Sequence, residues 1–567
     1  MIVQHVRGPI ASAILTLLAG CYSGLDGRAS GDDAASAGTG EGGSATEATA
    51  GDSGGGDDGV AVDFEPPPVR LRLLLARQYT HAIRDLLGDA AAAAATPPTD
   101  AAINGFDAVA ASQLALTDAK VQAYEASART VSELADAGKL AGHHTCVATG
   151  PADEACLREF VASFGRLAFR RTLTAVEIDD YTAAGLAAAA VYDDFEYGKR
   201  DVVATMLQSP NFLYQVEVGE PADTGGMRRL TSLELATRLS FYLRDTTPDA
   251  ELLDLAEADG LADAAAVREV AAAMLETEEA HQALSDFASE VYRLRELPTT
   301  PKDPTVFPAF TPSLAAAMAS ETLAVLGEIV WTQDGDVRDL FDTDYTFVNA
   351  ELAALYQLPN PEQYGEGFTK VTLPPEQLRG GLLGQAGMLS LLGHVTTTSP
   401  TYRGKFVRQQ LLCQTIPAPP VNVDTQLPEG AEWRTMREKL EAHMSDPGCA
   451  GCHKMMDPIG LGLENYDGIG QFRTTENGAT IDASADLDGT TFAGAKQLGA
   501  ALKQHPDLPP CLMHNLFRHA TGHIEVPGEA SELDELVVAF EDGGYNLKSL
   551  MVEMVASPAF RMVGDAE

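Results

Sequence analysis

Apolar residues recur at helical spacing along most of this chain, and alternating strand patterns are rare. After Thr231, for example, Leu235, Leu239 and Leu243 follow at intervals of four residues, which places them on one face of a helix. A threonine followed three residues later by a glutamate precedes two such segments, at Thr174–Glu177 and Thr231–Glu234, and this pattern is typical of a capping box. Aromatic residues make up only 7% of the chain, which favours helices over sheets. We therefore predict a mainly α fold of helical modules in series.

Short extended segments are predicted in two places within this helical pattern. One is the stretch Phe368–Leu373, and the other is Thr480–Phe492, which contains Asp488 and Gly489 as a turn signal. At 567 residues the chain is too long for one core, and its length suggests roughly three or four domains.

The charge balance excludes one class of partner. The chain has 82 acidic and 39 basic side chains, which gives a net charge of -43. A surface of that charge repels phosphate backbones, so we predict no nucleic-acid partner. No uninterrupted apolar run reaches the length of about 18 residues that a membrane-spanning helix needs.

The N-terminus has the layout of an export signal followed by a tether. Residues 1–20 carry Arg7 and then the apolar stretch Ile10–Ala19, which predicts a signal peptide. The sequence Leu18–Cys21 resembles the lipobox of bacterial lipoproteins, in which the cysteine carries a lipid; an ordinary signal peptide with an incidental cysteine is the alternative. Residues 21–65 are mostly Gly, Ala, Ser, Thr, Asp and Glu and cannot form a core. We predict a disordered tether that links a lipid on Cys21 to a body in the cell envelope, in the periplasm or at the cell surface.

The most specific motif is Cys449-Ala-Gly-Cys452-His453. A Cys-x-x-Cys-His sequence is the spacing that attaches a c-type haem. Both thiols then form thioethers with the haem, and His453 is an axial ligand of its iron. The motif predicts one covalent haem c. The predicted export of the chain is consistent with this, because covalent haem attachment takes place outside the cytoplasm.

Three other interpretations of the motif stay open. A thioredoxin-like redox pair would require a strand-helix-strand pattern, which the surrounding sequence lacks. A zinc site could combine Cys449 and Cys452 with Cys511 and His514 as four tetrahedral ligands. A structural disulfide could join Cys449 to Cys452.

Four cysteines remain after the motif and Cys21 are set aside. A plausible pairing joins Cys146 to Cys156 and Cys413 to Cys511, although four cysteines allow three pairings. All four could also be buried thiols.

Longer motifs are spread over nearly the whole body. They are Arg77–Gly88 (RQYTHAIRDLLG), Asn104–Asp107 (NGFD), Phe169–Thr174 (FRRTLT), Ser209–Tyr214 (SPNFLY), Glu234–Leu243 (ELATRLSFYL), Phe347–Asn349 (FVN), Thr398–Pro400 (TSP), Arg403–Lys405 (RGK), Met456–Asp467 (MDPIGLGLENYD) and Ser557–Phe560 (SPAF). With these motifs the chain resembles the planctomycete-type multidomain cytochrome c proteins, which are assembled from domain-of-unknown-function modules 1587, 1595, 1592, 1588 and 1585.

The resemblance implies an order of modules along the chain. Helical modules 1587, 1595 and 1592 would occupy residues 66–140, 141–220 and 221–375, a cytochrome c-like haem module (1588) residues 376–480, and the C-terminal helical module (1585) residues 481–567. The resemblance supports a haem-bearing envelope protein, and it does not identify a substrate.

A single haem held by His453 leaves one axial position of the iron to be assigned. The alternatives are an open or water-bound iron and a second protein ligand, for which the candidates are His394, Met455, Met456, Met513, His514, His519 and His523. Arg403 and Arg473 are candidates for contact with the haem propionates, because a guanidinium matches a planar carboxylate, and ordinary ion pairs are the alternative.

The function that these features predict is an envelope-tethered c-type cytochrome that transfers single electrons between an unknown donor and an unknown acceptor. One alternative is a haem-dependent oxidoreductase that acts on an extracellular substrate such as a polysaccharide. Another is a structural or interaction lipoprotein with the Cys3His zinc site. No serine nucleophile elbow, P-loop or Rossmann glycine pattern occurs in the sequence.

Overall fold

The structure, a computed structural model, describes residues 64–222, 226–417, 433–445 and 447–565. This part of the chain is mainly helical with few short strands, so the predicted mainly α class is confirmed. The predicted signal peptide, the predicted lipid attachment at Cys21 and almost all of the predicted tether lie outside the described residues.

Helices occur from one end of the described chain to the other. In order they are α1 Ala76–Leu87, α2 Asp89–Ala94, α3 Asp107–Gln113, α4 Asp118–Glu133, α5 Ala137–Ala141, α6 Glu154–Phe169, α7 Ala175–Tyr192, α8 Phe195–Met206, α9 Pro210–Leu213, α10 Ser232–Leu243, α11 Ala250–Glu257, α12 Ala264–Met274, α13 Glu278–Val291, α14 Pro312–Gly327, α15 Ala350–Leu355, α16 Gly381–Gly384, α17 Ala386–Leu391, α18 Pro400–Phe406, α19 Met436–His443, α20 Pro447–Leu461, α21 Gly494–Lys503, α22 Leu508–Thr521, α23 Ala530–Asp542, α24 Leu547–Ala556 and α25 Pro558–Arg561.

The strands are short and pair in small antiparallel sheets. They are β1 Arg70–Leu73, β2 Tyr214–Glu217, β3 Glu220–Pro221, β4 Met227–Arg229, β5 Tyr345–Val348, β6 Thr369–Thr372, β7 Thr475–Glu476, β8 Ala479–Thr480, β9 Ser484–Leu487, β10 Thr490–Ala493 and β11 Met562–Gly564. Strands β6, β9 and β10 lie in the two segments predicted to be extended.

Both predicted capping boxes are confirmed. Thr174 Oγ1 accepts a hydrogen bond from the backbone N–H of Glu177 at 3.2 Å, and the Glu177 carboxylate accepts one from the N–H of Thr174 at 2.8 Å. The pair Thr231 and Glu234 makes the same two bonds at the start of α10, at 3.3 and 2.8 Å. Each box satisfies two amides that a helix start would otherwise leave without a partner.

Two sheets join segments that are far apart in sequence. Strand β1 pairs with β2, with Arg70 opposite Glu217, and β11 pairs with β4, with Met562 opposite Arg229. The second pairing brings the last described strand back to the start of the 221–375 region. The modules therefore follow one another in sequence but are linked in space.

The buried apolar residues of the described chain form two clusters. The smaller cluster is built from residues between Leu73 and Phe241, and the larger one contains residues from Phe64 to Val563. Because the larger core draws on four of the five predicted modules, these modules pack against one another rather than each enclosing its own core.

One helical run in the described chain, residues 312–332, is long and apolar enough to cross a membrane by length and composition. More than half of its apolar window is buried inside the body, and it carries the buried Glu321. This run packs as a core helix between α13, α15 and β5.

Candidate functional site

Helix α20 carries the Cys-x-x-Cys-His motif near its start. Cys449 and Cys452 are three residues apart and so lie on the same side of the helix, and neither forms a disulfide. Cys449 is buried and Cys452 is partly exposed. The interpretation of these two residues as a structural disulfide is therefore wrong.

The imidazole of His453 is oriented by a carboxylate one turn further along α20. Its Nδ1 lies 2.8 Å from Oδ2 of Asp457, and the Asp457 side chain is fully buried. Because an ionised carboxylate can only accept a hydrogen bond, the proton of this bond is on Nδ1. In the neutral imidazole the other ring nitrogen, Nε2, is then the unprotonated one that can bind a metal.

A second helix supports the same carboxylate. Thr401, in α18, donates a hydrogen bond from Oγ1 to Oδ1 of Asp457 at 2.8 Å. Thr401, Asp457 and His453 therefore form a chain of two hydrogen bonds, which we call the Thr401–Asp457–His453 relay. Sequence analysis missed Asp457 and Thr401, although the spacing of four residues between His453 and Asp457 on one helix is a signal that could have found the first.

Glycines allow α18 to approach α20 closely enough to build this relay. A Cβ atom on Gly404 would lie 1.8 Å from the carbonyl oxygen of Met456, and one on Gly460 would lie 1.9 Å from the carbonyl oxygen of Pro400. Both distances are far below van der Waals contact. The two backbones therefore touch at two points, and Thr401 is placed beside Asp457 as a result.

Arg408 connects α20 to the turn between β9 and β10. It lies in a turn of π-helix, Val407–Leu411, directly after α18, and such turns are frequent at functional sites. Its Nε donates to the carbonyl oxygen of Met455 at 3.0 Å, and its two terminal nitrogens bind Asp488 at 2.6 and 2.9 Å. Asp488 belongs to the turn between β9 and β10, so this arginine ties α20 to that hairpin.

The two arginines predicted to contact haem propionates have other partners. Arg403 is fully buried, forms an ion pair with Glu464 at 3.1 Å and donates to the carbonyl oxygens of Leu463 and Asp467. Arg473 binds the same Glu464 carboxylate at 3.0 Å. Both guanidinium groups hold the turn that follows α20, as expected for ordinary ion pairs, and their contact with haem propionates stays a prediction.

Glu464 lies between these two arginines in the interior. Burial raises the pKa of its carboxyl, although the charges of Arg403 and Arg473 oppose that shift. Thr398 also donates a hydrogen bond to Glu464, at 2.8 Å. The motif segments 398–405 and 456–467 are thus joined by a buried polar cluster.

The candidates for a second axial ligand are dispersed. His394 lies against the ring of Tyr402, with the ring centroids 5.1 Å apart, and burial lowers its pKa. Met456 is on the same helix as His453, and Met513 is buried in the larger core. His514 lies 3.3 Å from a carboxylate oxygen of Glu525.

The other two histidines of that group are also paired with glutamates. His519 Nδ1 lies 2.6 Å from Glu290, and His523 Nε2 lies 2.9 Å from Glu529. Burial would raise the pKa of Glu290, but the neighbouring His519 and Arg77 lower it to about 2. His519 and His523 thus have structural partners in the interior.

The ring beside His453 is that of His443, which sequence analysis missed. His443 is the last residue of α19, its ring centroid is 4.8 Å from that of His453, and the two planes are nearly perpendicular. The two rings are in edge-to-face contact, so His443 supports the His453 ring in this structure.

The disulfides decide the zinc interpretation. Cys146 is bonded to Cys156 and Cys413 to Cys511, the same pairs that the sequence suggests. A disulfide sulfur is not a thiolate and does not ligate zinc. The prediction of a zinc site is therefore wrong, because one of its four proposed ligands, Cys511, is bonded to Cys413. The other three would have been Cys449, Cys452 and His514.

A further group of potential metal ligands lies around the first disulfide. His144 is close to Cys146 and Cys156, but both sulfurs are bonded to each other, and Nδ1 of His144 lies 3.0 Å from the carbonyl oxygen of Cys146. Lys199 lies 3.1 Å from the other ring nitrogen. The disulfide and these two contacts occupy the donor atoms of the group.

Comparison with known families gives five matches in chain order. Each is described as a protein of unknown function: DUF1587 over residues 72–137, DUF1595 over 156–217, DUF1592 over 230–358, DUF1588 over 379–476 and DUF1585 over 488–560. The chain belongs to the planctomycete-type multidomain cytochrome c family. No curated protein and no solved structure matches it.

Modules 1585 and 1588 are typically found in cytochrome c-associated proteins, and the family membership associates the chain with that class. The motif residues Cys449, Cys452 and His453 fall inside the DUF1588 match, as do Thr401 and Asp457. The exact boundaries between the predicted modules stay predictions.

The residues of α20 fit a c-type haem in their chemistry. The two cysteines that would form the thioethers are outside both disulfides. The hydrogen bond from Nδ1 to Asp457 leaves Nε2 of His453 as the nitrogen that can bind iron. A covalently bound haem supplies a centre that gains and loses single electrons.

Proposed function

We propose that this protein is a c-type cytochrome of the cell envelope that carries one haem and transfers single electrons. The haem would be bonded to Cys449 and Cys452, with His453 as one axial ligand of the iron. The observation that carries the proposal is the arrangement of α20, in which two cysteines outside any disulfide precede a histidine whose Nδ1 is held by a buried carboxylate. That carboxylate pairing is typical of metal-ligating histidines.

The proposal includes the place of the protein and its partners. We propose that a lipid on Cys21 anchors the chain to a membrane of the envelope and that residues 22–65 let the body move near it. The electron donor and acceptor would be redox proteins or small redox molecules in the same compartment. The net charge of -43 favours partners with a basic docking surface, because opposite charges accelerate association.

An absorbance spectrum tests the proposal. The protein is produced in a host that attaches haem to exported proteins, and its spectrum is recorded in alkaline pyridine before and after reduction with dithionite. We expect one covalent haem per chain in the wild type and none in the Cys449→Ala/Cys452→Ala variant. Detergent-phase partitioning of the same preparation reports the lipid.

A matched control distinguishes the effect of losing the two motif cysteines from the effect of losing any two cysteines. The Cys146→Ala/Cys156→Ala variant also lacks two cysteines, but these lie outside the haem module and are joined to each other. It is expected to keep its haem. A wild-type protein that matures without haem, while the host's own c-type cytochromes are loaded, contradicts the proposed function.

A further inference from the structure

The Thr401–Asp457–His453 relay has features that attachment of a haem does not require. Attachment needs the two thiols and one imidazole nitrogen. Asp457 instead places a fully buried carboxylate against the opposite edge of the imidazole, at 2.8 Å from Nδ1. A buried carboxylate is costly unless its oxygens are satisfied, and here Thr401 satisfies the second oxygen.

We propose that Asp457, held by Thr401, is a positioning residue that acts through His453 to stabilise the oxidised state of the haem iron. This inference rests on the proposed function. It goes beyond it because it assigns the direction in which the protein shifts the redox equilibrium. Asp457 touches His453 and not the iron, so its effect is transmitted through the imidazole.

The physical basis is the electron density on the imidazole. A hydrogen bond from Nδ1–H to a carboxylate makes Nε2 a stronger electron-pair donor to the iron. A stronger electron-pair donor stabilises the ferric state, which carries the higher positive charge, relative to the ferrous state. The negative charge of Asp457 adds to this effect, because it is screened less in the interior than at the surface. Hydrogen bonding around the axial ligand is one of the means by which proteins set the potential of a haem.

Thr401 weakens the effect of Asp457 on the redox equilibrium of the iron. By donating a hydrogen bond to Oδ1 of Asp457, it draws negative charge away from the oxygen that faces His453. Removal of the Thr401 hydroxyl should therefore strengthen the bond between Asp457 and His453. The relay thus predicts opposite shifts for variants at its two ends.

Potentiometric titration of the haem-loaded full chain tests the inference. In Asp457→Asn the side-chain shape is retained and the charge is lost, so we expect the ratio of reduced to oxidised protein at a fixed potential to rise at least tenfold, which is a shift of about 59 mV for one electron. In Thr401→Val we expect the same ratio to fall. A general loosening of the site would move both variants in the same direction.

Glu441→Gln is the matched control. Glu441 is an exposed residue of α19, and its substitution removes one negative charge near the site without touching the relay. Because charges at the surface are screened by salt, its titration curve is expected to overlay that of the wild type.

The outcomes separate the inference from the proposed function. An Asp457→Asn protein that carries one covalent haem and titrates like the wild type overturns the inference and leaves the proposed function intact. If Asp457→Asn does not fold, Thr401→Val decides, and an unchanged or raised ratio overturns the inference. If the wild type carries no haem, the proposed function fails first and the inference falls with it.

Discussion

Glu321 shows at the scale of one residue how burial alters protonation. This side chain of α14 is fully buried, and its carboxylate accepts hydrogen bonds from Thr346 Oγ1 at 2.6 Å and from the Tyr356 hydroxyl at 2.7 Å. Burial raises the pKa of Glu321 to about 7, although these hydrogen bonds oppose the shift. The residue therefore takes up a proton within the physiological range.

The raised pKa predicts a loss of stability as the pH increases. An unfolded glutamate has a pKa of about 4.3, so between that value and about 7 the folded protein binds more protons than the unfolded one. The free energy of unfolding then falls as pH rises through this window and levels off above it. Glu321→Gln cannot ionise, so from pH 5 to pH 8 it should lose less stability than the wild type, by about 3 kcal/mol.

Urea unfolding followed by circular dichroism at the two pH values measures this difference. Glu269→Gln, an exposed site on α12, is the control and should follow the wild type. Identical pH dependence in Glu321→Gln and the wild type would mean that the Glu321 carboxyl is not protonated in the folded protein.

Single residues also show where prediction from sequence ended. The motif cysteines and His453 could be singled out because their spacing is specific to one chemistry. The four-residue spacing from His453 to Asp457 marks the two as neighbours on one helix, but a carboxylate one turn after a histidine is also common on solvated helices, so the spacing alone does not single Asp457 out. What distinguishes it is burial under α18, and that depends on packing between segments more than fifty residues apart.

At the scale of elements, the site depends on the contact between α18 and α20. Gly404 is the point of closest approach, since a Cβ atom there would lie 1.8 Å from the Met456 carbonyl oxygen. Backbone atoms cannot rotate away from a clash as the end of a side chain can. Any residue larger than glycine at position 404 must push the helices apart.

Gly404→Ala is therefore expected to destabilise the protein by about 2 to 3 kcal/mol, a cost typical of overpacking. Gly451→Ala on α20 is the control, because a Cβ atom there meets nothing within 4 Å and alanine favours a helix interior by up to about 1 kcal/mol. Urea unfolding midpoints of the two variants measure the contrast. Equal midpoints would show that α18 and α20 can separate without cost.

Elements also differ in how far the sequence predicts them. The capping boxes at Thr174 and Thr231 are local patterns, and the structure contains both. The pairing of β1 with β2 joins residues more than 140 positions apart, and a four-residue strand carries no signal that identifies its partner. Local chemistry is therefore readable from the sequence, whereas the assembly of the modules is not.

At the scale of the whole molecule, buried charges connect the modules. Glu217 of β2 lies 3.4 Å from Arg72 of β1 and 3.2 Å from Arg238 of α10, and Arg238 also donates to the carbonyl oxygen of Phe560. Burial would raise the pKa of Glu217, but the two arginines lower it. Since these groups come from four of the matched modules, separating the modules would leave Glu217, Arg72 and Arg238 without their present partners.

The two disulfides test how strongly distant parts of the chain depend on each other. Cys413–Cys511 closes a loop of 98 residues and joins the segment after α18 to α22, whereas Cys146–Cys156 closes a loop of 10 residues. Because a cross-link lowers the entropy of the unfolded chain more when its loop is longer, the expected contributions are about 5 and about 3 kcal/mol. Cys413→Ala/Cys511→Ala should therefore unfold at a lower urea concentration than Cys146→Ala/Cys156→Ala. The reverse order would mean that the contacts between the DUF1588 and DUF1585 modules hold without the longer cross-link.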